Sequence, residues 1–132
     1  MPYLSLVTLL VRDYDEAITF YVDTLGFELV QDSDRGGGTR WVVVRPRGAD
    51  ETGLLLARAS TDDQRARIGD QTGGRVGFFV VTEDFSGAYA RLRAAGVHFD
   101  EEPRYESYGV VAVFADLYGN RFDLIQPSRR SD

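Results

Sequence analysis

The hydrophobic and polar positions of this chain follow the same pattern twice. In each half, an apolar run predicts a strand, and apolar positions three and four residues apart then predict one face of a helix. The two apolar runs are residues 7–11 and 78–81. The helical positions are Ala17, Phe20, Tyr21 and Leu25 in the first half, and Ala88, Tyr89 and Leu92 in the second. Each half therefore begins with a strand and a helix.

The residues that bound the two helices repeat as well. Asp13 and Asp84 precede them as N-caps, and Gly26 and Gly96 follow them, where a left-handed residue is favoured. Glu16 follows Asp13 by three residues, as in a capping box. The aspartates are 71 residues apart (84 − 13) and the glycines 70 (96 − 26). An offset of about half the chain indicates a weak internal repeat.

Three further apolar runs in each half predict three more strands. These runs are residues 27–29, 40–45 and 53–57 in the first half, and 97–99, 109–114 and 121–125 in the second. The sequence therefore predicts an α+β fold of two tandem βαβββ modules in a single domain of residues 1–132. The modules would span about residues 4–59 and 75–127.

Polar segments join these runs. Residues 32–38 predict a hairpin loop, and residues 60–74 predict the linker between the modules. Within the linker, residues 62–68 predict a short helical turn.

Composition excludes several functions. A net charge of −6 argues against a nucleic-acid partner, since phosphate binding needs a basic face. The chain has no cysteine, which excludes disulfides and thiolate chemistry. It also has no apolar run long enough to span a membrane and no signal-peptide pattern. We therefore expect a cytoplasmic protein that has no membrane partner.

Short motifs in a specific order carry a family resemblance. They are Val11-Arg12-Asp13, Ala17-Ile18-Thr19-Phe20-Tyr21, Leu25-Gly26-Phe27, Leu92-Arg93-Ala94-Ala95-Gly96-Val97 and Asp116-Leu117-Tyr118-Gly119-Asn120, the last followed by Asp123. Over residues 5–127 the chain resembles the vicinal oxygen chelate superfamily of glyoxalases, bleomycin resistance proteins and ring-cleaving dioxygenases. The resemblance implies modules that each curve an incomplete barrel around a cup. One departure is Leu117, where members commonly have proline.

Enzymes of this superfamily hold a divalent metal with four side chains, usually His, Gln or Glu. The resemblance places these four positions at Leu6, Leu55, Gly77 and Asp123. Leucine and glycine side chains donate no lone pair, and one carboxylate does not hold a divalent cation against water. We therefore expect no metal ion and no other cofactor.

Strand alternation adds residues that share a face with these four positions. The predicted ligand-binding residues are Leu6, Thr8, Leu10, Trp41, Leu55, Ala57, Gly77, Phe79, Tyr108, Arg121, Asp123 and Ile125. The set is mostly apolar, with one predicted polar pair between Arg121 and Asp123, and it suits an organic ligand that has apolar surface. Trp41, Tyr105 and Tyr108 would either stack on a ligand or pack in the core or a dimer interface.

Two classes of function remain. The first is metal-independent binding of a small, partly apolar or aromatic molecule, as in the drug-sequestering members. Those members pair two chains, so we expect a homodimer and a role in antibiotic resistance. The second is a lyase, isomerase or dioxygenase that has displaced metal ligands, for instance Glu101 or Asp116, or that uses Asp123 as a catalytic acid or base.

Other polar residues have simpler interpretations. His98 is the only histidine, and we interpret it as an ordinary strand residue rather than a general base. Arg40 and Arg45 flank Trp41, where they would either steer an anionic ligand or be solvated at the surface.

Overall fold

The structure, a computed structural model, describes residues 1–129 of the chain. It divides into two compact units, Met1–Gln71 and a second that begins at Thr72. The first unit contains β1 (Leu6–Val11), α1 (Tyr14–Ile18), β2 (Phe27–Gly36), β3 (Thr39–Pro46), β4 (Gly53–Arg58) and α2 (Asp62–Ala66). The second contains β5 (Val76–Val81), α3 (Phe85–Ala94), β6 (Arg104–Glu106), β7 (Gly109–Ala115) and β8 (Arg121–Pro127).

Each unit holds a four-stranded mixed sheet. The strand orders are β1-β4-β3-β2 and β5-β8-β7-β6. In both sheets the first strand pairs in parallel with the last strand of its unit, and the remaining pairs are antiparallel. A parallel pair needs a long crossover, which the first helix of each unit begins. The predicted α+β class and tandem βαβββ modules are thus confirmed.

The helix signals in the sequence act as predicted. The Asp13 carboxylate accepts a hydrogen bond from the Glu16 amide at 2.9 Å, and the Asp84 carboxylate accepts one from the Gly87 amide at 3.1 Å. The first helix then changes character, because α1 continues as a π-helical turn over Thr19–Thr24. Gly26 and Gly96 end the two helical segments at φ 86° and 89°, in the left-handed region that glycine tolerates.

One face of each sheet packs against the helix of its own unit. In the first unit the buried residues of β1, β3 and β4 are mainly aliphatic: Leu9, Val11, Val42, Val44, Leu54 and Leu56. In the second unit β7 and β8 bury a stack of phenylalanine rings together with aliphatic side chains. Phe122 stacks on Phe78 at 4.7 Å and on Phe114 at 5.0 Å between ring centroids. The two cores therefore solve the same packing problem with differently shaped side chains.

Of two further predicted segments, one differs in the structure and one is confirmed. The hairpin loop predicted for residues 32–38 is mostly strand, since β2 extends to Gly36 and only Gly37 and Gly38 form the turn. An ion pair of Arg40 with Asp32, at 2.8 Å, joins β3 to this extension. The short helical turn predicted for residues 62–68 is confirmed as α2.

The strand predicted for residues 97–99 was wrong. That segment makes one isolated bridge, between Phe99 and Phe114, and the fourth strand of the sheet is β6. Pro103 lies immediately before β6 and has no backbone N–H for a ladder, which is consistent with a strand that begins only after it.

The linker contacts the edge of the first sheet. The Gln71 side chain donates to the Thr8 carbonyl at 3.1 Å and accepts from the Leu10 amide. An amide side chain presents one donor and one acceptor, so it pairs with β1 as a neighbouring strand would.

Candidate functional site

In the first unit, five predicted site residues lie side by side on the sheet face opposite the buried aliphatic core. Thr8 pairs with Leu55 and Leu10 with Ala57, while Leu6 lies at the start of β1 on the same side. Leu6, Leu10 and Leu55 are half-buried and Thr8 is exposed. We call this surface the first open face. It is apolar except for one threonine hydroxyl.

Two cavities adjoin the first open face, and Trp41 lines both. The first, of about 240 Å³, is lined by Leu55 and Ala57 together with Tyr14, Arg40 and Arg58. The second, of about 220 Å³, is lined by Leu6, Val43 and Arg45, with Asp50 and Glu51 among its remaining residues. We call the second the Arg45 cavity. The structure thus brings Trp41 together with predicted residues of β1 and β4.

The two arginines that flank Trp41 have different surroundings. Arg40 forms ion pairs with Asp15 at 2.9 Å and Asp32 at 2.8 Å. These hydrogen bonds raise the pKa of the Arg40 guanidinium and lower the pKa of Asp32. Its guanidinium also lies 5.1 Å from the ring centroid of Tyr14. Arg40 therefore has a structural role.

Arg45 makes no ion pair with any of residues 1–129, and its buried Nε has no hydrogen-bond partner among them. An unsatisfied buried donor of this kind is uncommon in proteins. The sequence contained a usable signal for Arg45, because strand alternation from Trp41 places Val43 and Arg45 on the same face. That signal does not separate an arginine with partners from one without.

In the second unit, Phe79, Asp123 and Ile125 share the corresponding sheet face. Phe79 pairs with Asp123 and Val81 with Ile125, and Val113 of β7 lies opposite Asp123 on the other side. Phe79 and Val81 are 65% and 64% exposed. We call this surface the second open face. It combines exposed apolar side chains with one half-buried carboxylate.

Asp123 is the polar centre of the second open face. Its Oδ1 is buried and accepts no hydrogen bond from the part of the chain that the structure describes. Burial raises the pKa of Asp123, Arg104 lowers it, and Glu101 raises it further. The net upward direction follows because desolvation of the charged form is the largest of these effects.

The predicted Arg121–Asp123 pair was wrong. The Arg121 guanidinium instead forms an ion pair with Asp100, with 2.6 Å between Nη2 and Oδ2, and donates to the Gly74 carbonyl at 3.1 Å. Asp100 lies in the segment between α3 and β6, so the sequence separation hid this partner. The same carboxylate lies 3.2 Å from Nε2 of His98, whose side chain is 74% exposed and outside any strand.

Gly77 and Tyr108 are placed differently from the other predicted residues. Gly77 lies at an irregularity in the pairing of β5 with β8. A Cβ atom at Gly77 would lie 2.7 Å from Cγ2 of Thr72, so this position has no room for a ligating side chain. Tyr108 lies in the turn between β6 and β7 and is 53% exposed. It lines neither cavity described above.

The residues at the four positions predicted for metal ligands do not fit a divalent cation. The first unit offers hydrocarbon at Leu6 and Leu55, and the second offers the single carboxylate of Asp123 and no side chain at Gly77. Within residues 1–129, no group of three or more His, Asp or Glu side chains is arranged to hold a metal. The other candidate ligands have structural partners: Glu101 pairs with Arg104 at 2.6 Å, and Asp116 is buried and accepts from the Asn120 amide at 2.9 Å.

No helix within residues 1–129 has both the length and the apolar character needed to cross a bilayer.

Comparisons with known proteins agree with the fold. An uncharacterized protein of Shewanella frigidimarina (strain NCIMB 400) is 50% identical over 121 residues, which cover 91% of this chain and 90% of the relative. The crystal structure of UcmS2 has a TM-score of 0.83 at 34% identity, covering 95% of this chain and 98% of its own. The crystal structure of TnmS3, an antibiotic binding protein from Streptomyces sp. CB03234, has a TM-score of 0.78 at 34% identity, with 97% and 98% covered.

A family model also matches residues 3–124, which is most of the chain. Its match includes the first sheet, both helix caps and the second sheet as far as Leu124 of β8. The chain therefore belongs to the glyoxalase/bleomycin resistance protein/dioxygenase superfamily.

Proposed function

We propose that this protein binds a small, partly aromatic organic molecule without a metal ion, and that it sequesters an antibiotic. The observation that carries the proposal is the chemistry of the two open faces. Leu6 and Leu55 occupy positions where family enzymes have metal ligands, and apolar side chains surround them. Lewis-acid chemistry needs a held metal ion, whereas an apolar surface with a few polar groups suits capture of an organic molecule.

The cavities of the first unit support the same proposal. Each has a volume of roughly one aromatic ring with substituents, since about 150 Å³ of apolar cavity accommodates benzene. Trp41 contributes to both and is 36% exposed, which leaves ring surface for stacking. The likeness to TnmS3, an antibiotic binding protein, supports an antibiotic as the ligand.

The proposal includes a homodimer. β5 is an edge strand of its own sheet, and an edge strand presents backbone groups that another chain can cover. Phe79 and Val81 of β5 are about two-thirds exposed in the single chain, and burial of such side chains favours association. Size-exclusion chromatography with light scattering tests this part: a mass near twice 14.7 kDa supports it, and a monomer at all concentrations contradicts it.

One observation favours a second candidate, acid–base catalysis by Asp123. A half-buried carboxyl with a raised pKa and an unused oxygen can exchange a proton with a bound substrate. The two candidates differ in outcome, because sequestration returns the ligand unchanged whereas catalysis yields a product. Mass spectrometry of the ligand after incubation with the protein separates them.

The main test is calorimetric titration of the protein with a panel of aromatic antibiotics, with and without EDTA. We expect at least one to bind with the same affinity in both conditions. The variant Leu55→Asp, which places a charge on the first open face, should abolish that binding. Leu117→Asp is the matched control, because Leu117 is an exposed turn residue of the other unit. Binding that EDTA removes, or that Leu55→Asp leaves unchanged, would contradict the proposal.

A further inference from the structure

Arg45 presents a charged group whose donors are not used. An arginine side chain has five N–H donors in a rigid planar fork. The Nε donor of Arg45 is buried without a partner among residues 1–129. A buried donor in that state carries a free-energy penalty. The Nε atom itself is closed to solvent, whereas the two terminal nitrogens are not among the buried atoms and donate to none of residues 1–129. The terminal nitrogens are therefore the donors that an incoming acceptor can reach.

Nearby carboxylates leave this acceptor position open. Glu28 lies opposite Arg45 in the pairing of β2 with β3, and Asp50 and Glu51 line the same cavity. None of the three forms an ion pair with Arg45 in the described part of the chain. Arg40, by contrast, is paired with two aspartates. The difference is specific to the arginine that lines the cavity beside Leu6.

The shape and lining of the Arg45 cavity indicate what else the ligand carries. Trp41, Val43 and Arg45 are alternate residues of β3 and so project to the same side. Trp41 and Arg45 are four positions apart, or about 13 Å along an extended strand. Val43 is buried between them at the base of the cavity, which Leu6 also lines. A flat apolar ligand lying between the two larger side chains would contact the indole at one end and the guanidinium at the other.

The acidic residues around the Arg45 cavity disfavour a hydrogen-bond acceptor that carries a negative charge. Asp50 and Glu51 are exposed and line the cavity, and the chain has a net charge of −6. These negative charges oppose an anionic ligand in spite of Arg45. A carbonyl oxygen accepts a charge-assisted hydrogen bond from a guanidinium without bringing a negative charge of its own.

We propose that Arg45 is the polar anchor of the Arg45 cavity and that it binds the carbonyl oxygen of a neutral, planar aromatic ligand over Trp41 and Val43. This inference rests on the proposed function, because it specifies the ligand class of the same site. It assigns Arg45 to ligand recognition and Arg40 to structure.

The test uses two probes of nearly the same shape, acetophenone and ethylbenzene, which differ in the presence of the carbonyl oxygen. The single tryptophan of the chain is Trp41, so one indole N–H resonance reports on the site in a nuclear magnetic resonance titration. We expect acetophenone to shift this resonance with a dissociation constant at least about 10-fold below that of ethylbenzene, since hydrogen bonds to charged groups contribute about this much.

The variant Arg45→Met keeps an unbranched apolar stem, although a shorter one, and removes the donors. It should weaken acetophenone binding about 10- to 100-fold and leave ethylbenzene binding within about 2-fold. Arg47→Met is the matched control, because Arg47 is exposed and lies just beyond β3. It should leave both dissociation constants unchanged. A circular dichroism spectrum like that of the parent chain confirms that Arg45→Met is folded.

The outcomes distinguish this inference from the proposed function. If Arg45→Met binds both probes as the parent chain does, Arg45 is not the anchor, although binding of aromatic molecules stands. If Arg45→Met weakens both probes equally, Arg45 supports the cavity without recognising a carbonyl, and the inference is overturned. If neither probe shifts the Trp41 resonance of the parent chain, the site does not take aromatic ligands, and both proposals fail.

Discussion

The two units have the same strand order, the same parallel pairing of first and last strands, and an aspartate cap at the first helix. Their interiors differ in one respect: β1, β3 and β4 of the first unit bury aliphatic side chains, whereas β7 and β8 of the second also bury the stacked rings of Phe114 and Phe122. Their open faces differ in charge. Among residues 1–129, the only buried side-chain polar atoms without a hydrogen bond are Nε of Arg45 in the first unit and Oδ1 of Asp123 in the second.

The pattern of residue types sets the topology of each unit, whereas single residues set the chemistry of its open face. A period of apolar residues and a few caps suffice to build each unit. The identity of one or two residues per sheet decides which groups a ligand would meet. At the positions predicted for metal ligands, this chain has hydrocarbon in the first unit and a lone carboxylate in the second, so a ligand would meet an apolar surface on one face and an acidic group on the other.

The largest expected loss in the free energy of unfolding comes from removing a buried side chain from either core. Phe122→Ala removes a ring that stacks on both Phe78 and Phe114, and it should lower the free energy of unfolding by about 4 kcal/mol. Leu56→Ala, at a fully buried position of β4, should cost about 3 kcal/mol, because it removes a smaller volume. Urea denaturation measures both. Equal losses would show that aromatic stacking does not distinguish the two cores.

The turns before the last strands provide the next comparison. Asp116 accepts hydrogen bonds from the amides of Tyr118 and Asn120 and from the Asn120 side chain, all at 2.9 Å and in a part-buried or buried setting. Asp116→Ala should therefore cost about 3 kcal/mol of stability. In the first unit, Thr52 donates one exposed hydrogen bond to the Leu4 carbonyl, and Thr52→Ala should cost about 1 kcal/mol or less. A larger loss for Thr52→Ala in thermal unfolding would reverse this ranking.

The two arginines that flank Trp41 should respond in opposite directions. Arg40→Met removes two ion pairs and a contact with Tyr14, and it should lower the free energy of unfolding by about 1 kcal/mol. Arg45→Met removes an unsatisfied buried donor and should raise it by about 1 kcal/mol. Denaturation at low and high salt gives the measurement, and added salt should shrink only the Arg40 effect. Destabilisation by Arg45→Met would mean that the guanidinium has a stabilising partner.

The smallest expected effect is a pH-dependent one at Asp123. Its raised pKa means that the folded state resists ionisation of this carboxyl more than the unfolded state does. The resulting destabilisation is absent well below pH about 4, the ordinary pKa of aspartate, and grows as the pH rises above it. Asp123→Asn should therefore match the parent chain at pH about 3 and exceed it by less than about 0.5 kcal/mol at pH about 7, because solvent screens the half-buried group. A variant that is less stable at neutral pH would contradict the direction of the shift.

Much of the fold was predictable because its signals are local. Asp13, Asp84, Gly26 and Gly96 bound the two helices as their residue types require, and the apolar runs became strands. The errors arose where nonlocal pairing decided the outcome. The segment 97–99 has the composition of a strand, yet the strand that pairs with β7 at the sheet edge is β6, which begins only after Pro103. The extension of β2 to Gly36 likewise depends on its pairing with β3.

For the candidate site, the sequence predicted which residues share a face of a sheet. Alternation along β1, β4 and β8 correctly placed Leu6, Thr8 and Leu10 on one surface and Asp123 and Ile125 on another. It failed for the partner of Arg121, since Asp100 lies outside any strand. It placed Arg45 on the same face of β3 as Trp41 and Arg40 on the other face, but it gave no sign that Arg45 lacks a partner.

Residue type and short spacing alone were enough to predict the two-module architecture and the helix caps, because the chain carries these signals without reference to distant contacts. Which charged side chains find partners depends on the tertiary structure. Arg40 and Arg121 pair with carboxylates up to 25 residues away, while Arg45 and Asp123 each retain an unsatisfied buried atom. The physical reason is that an ion pair depends on where folding places two side chains, and strand pairing sets those positions over separations that no local pattern records.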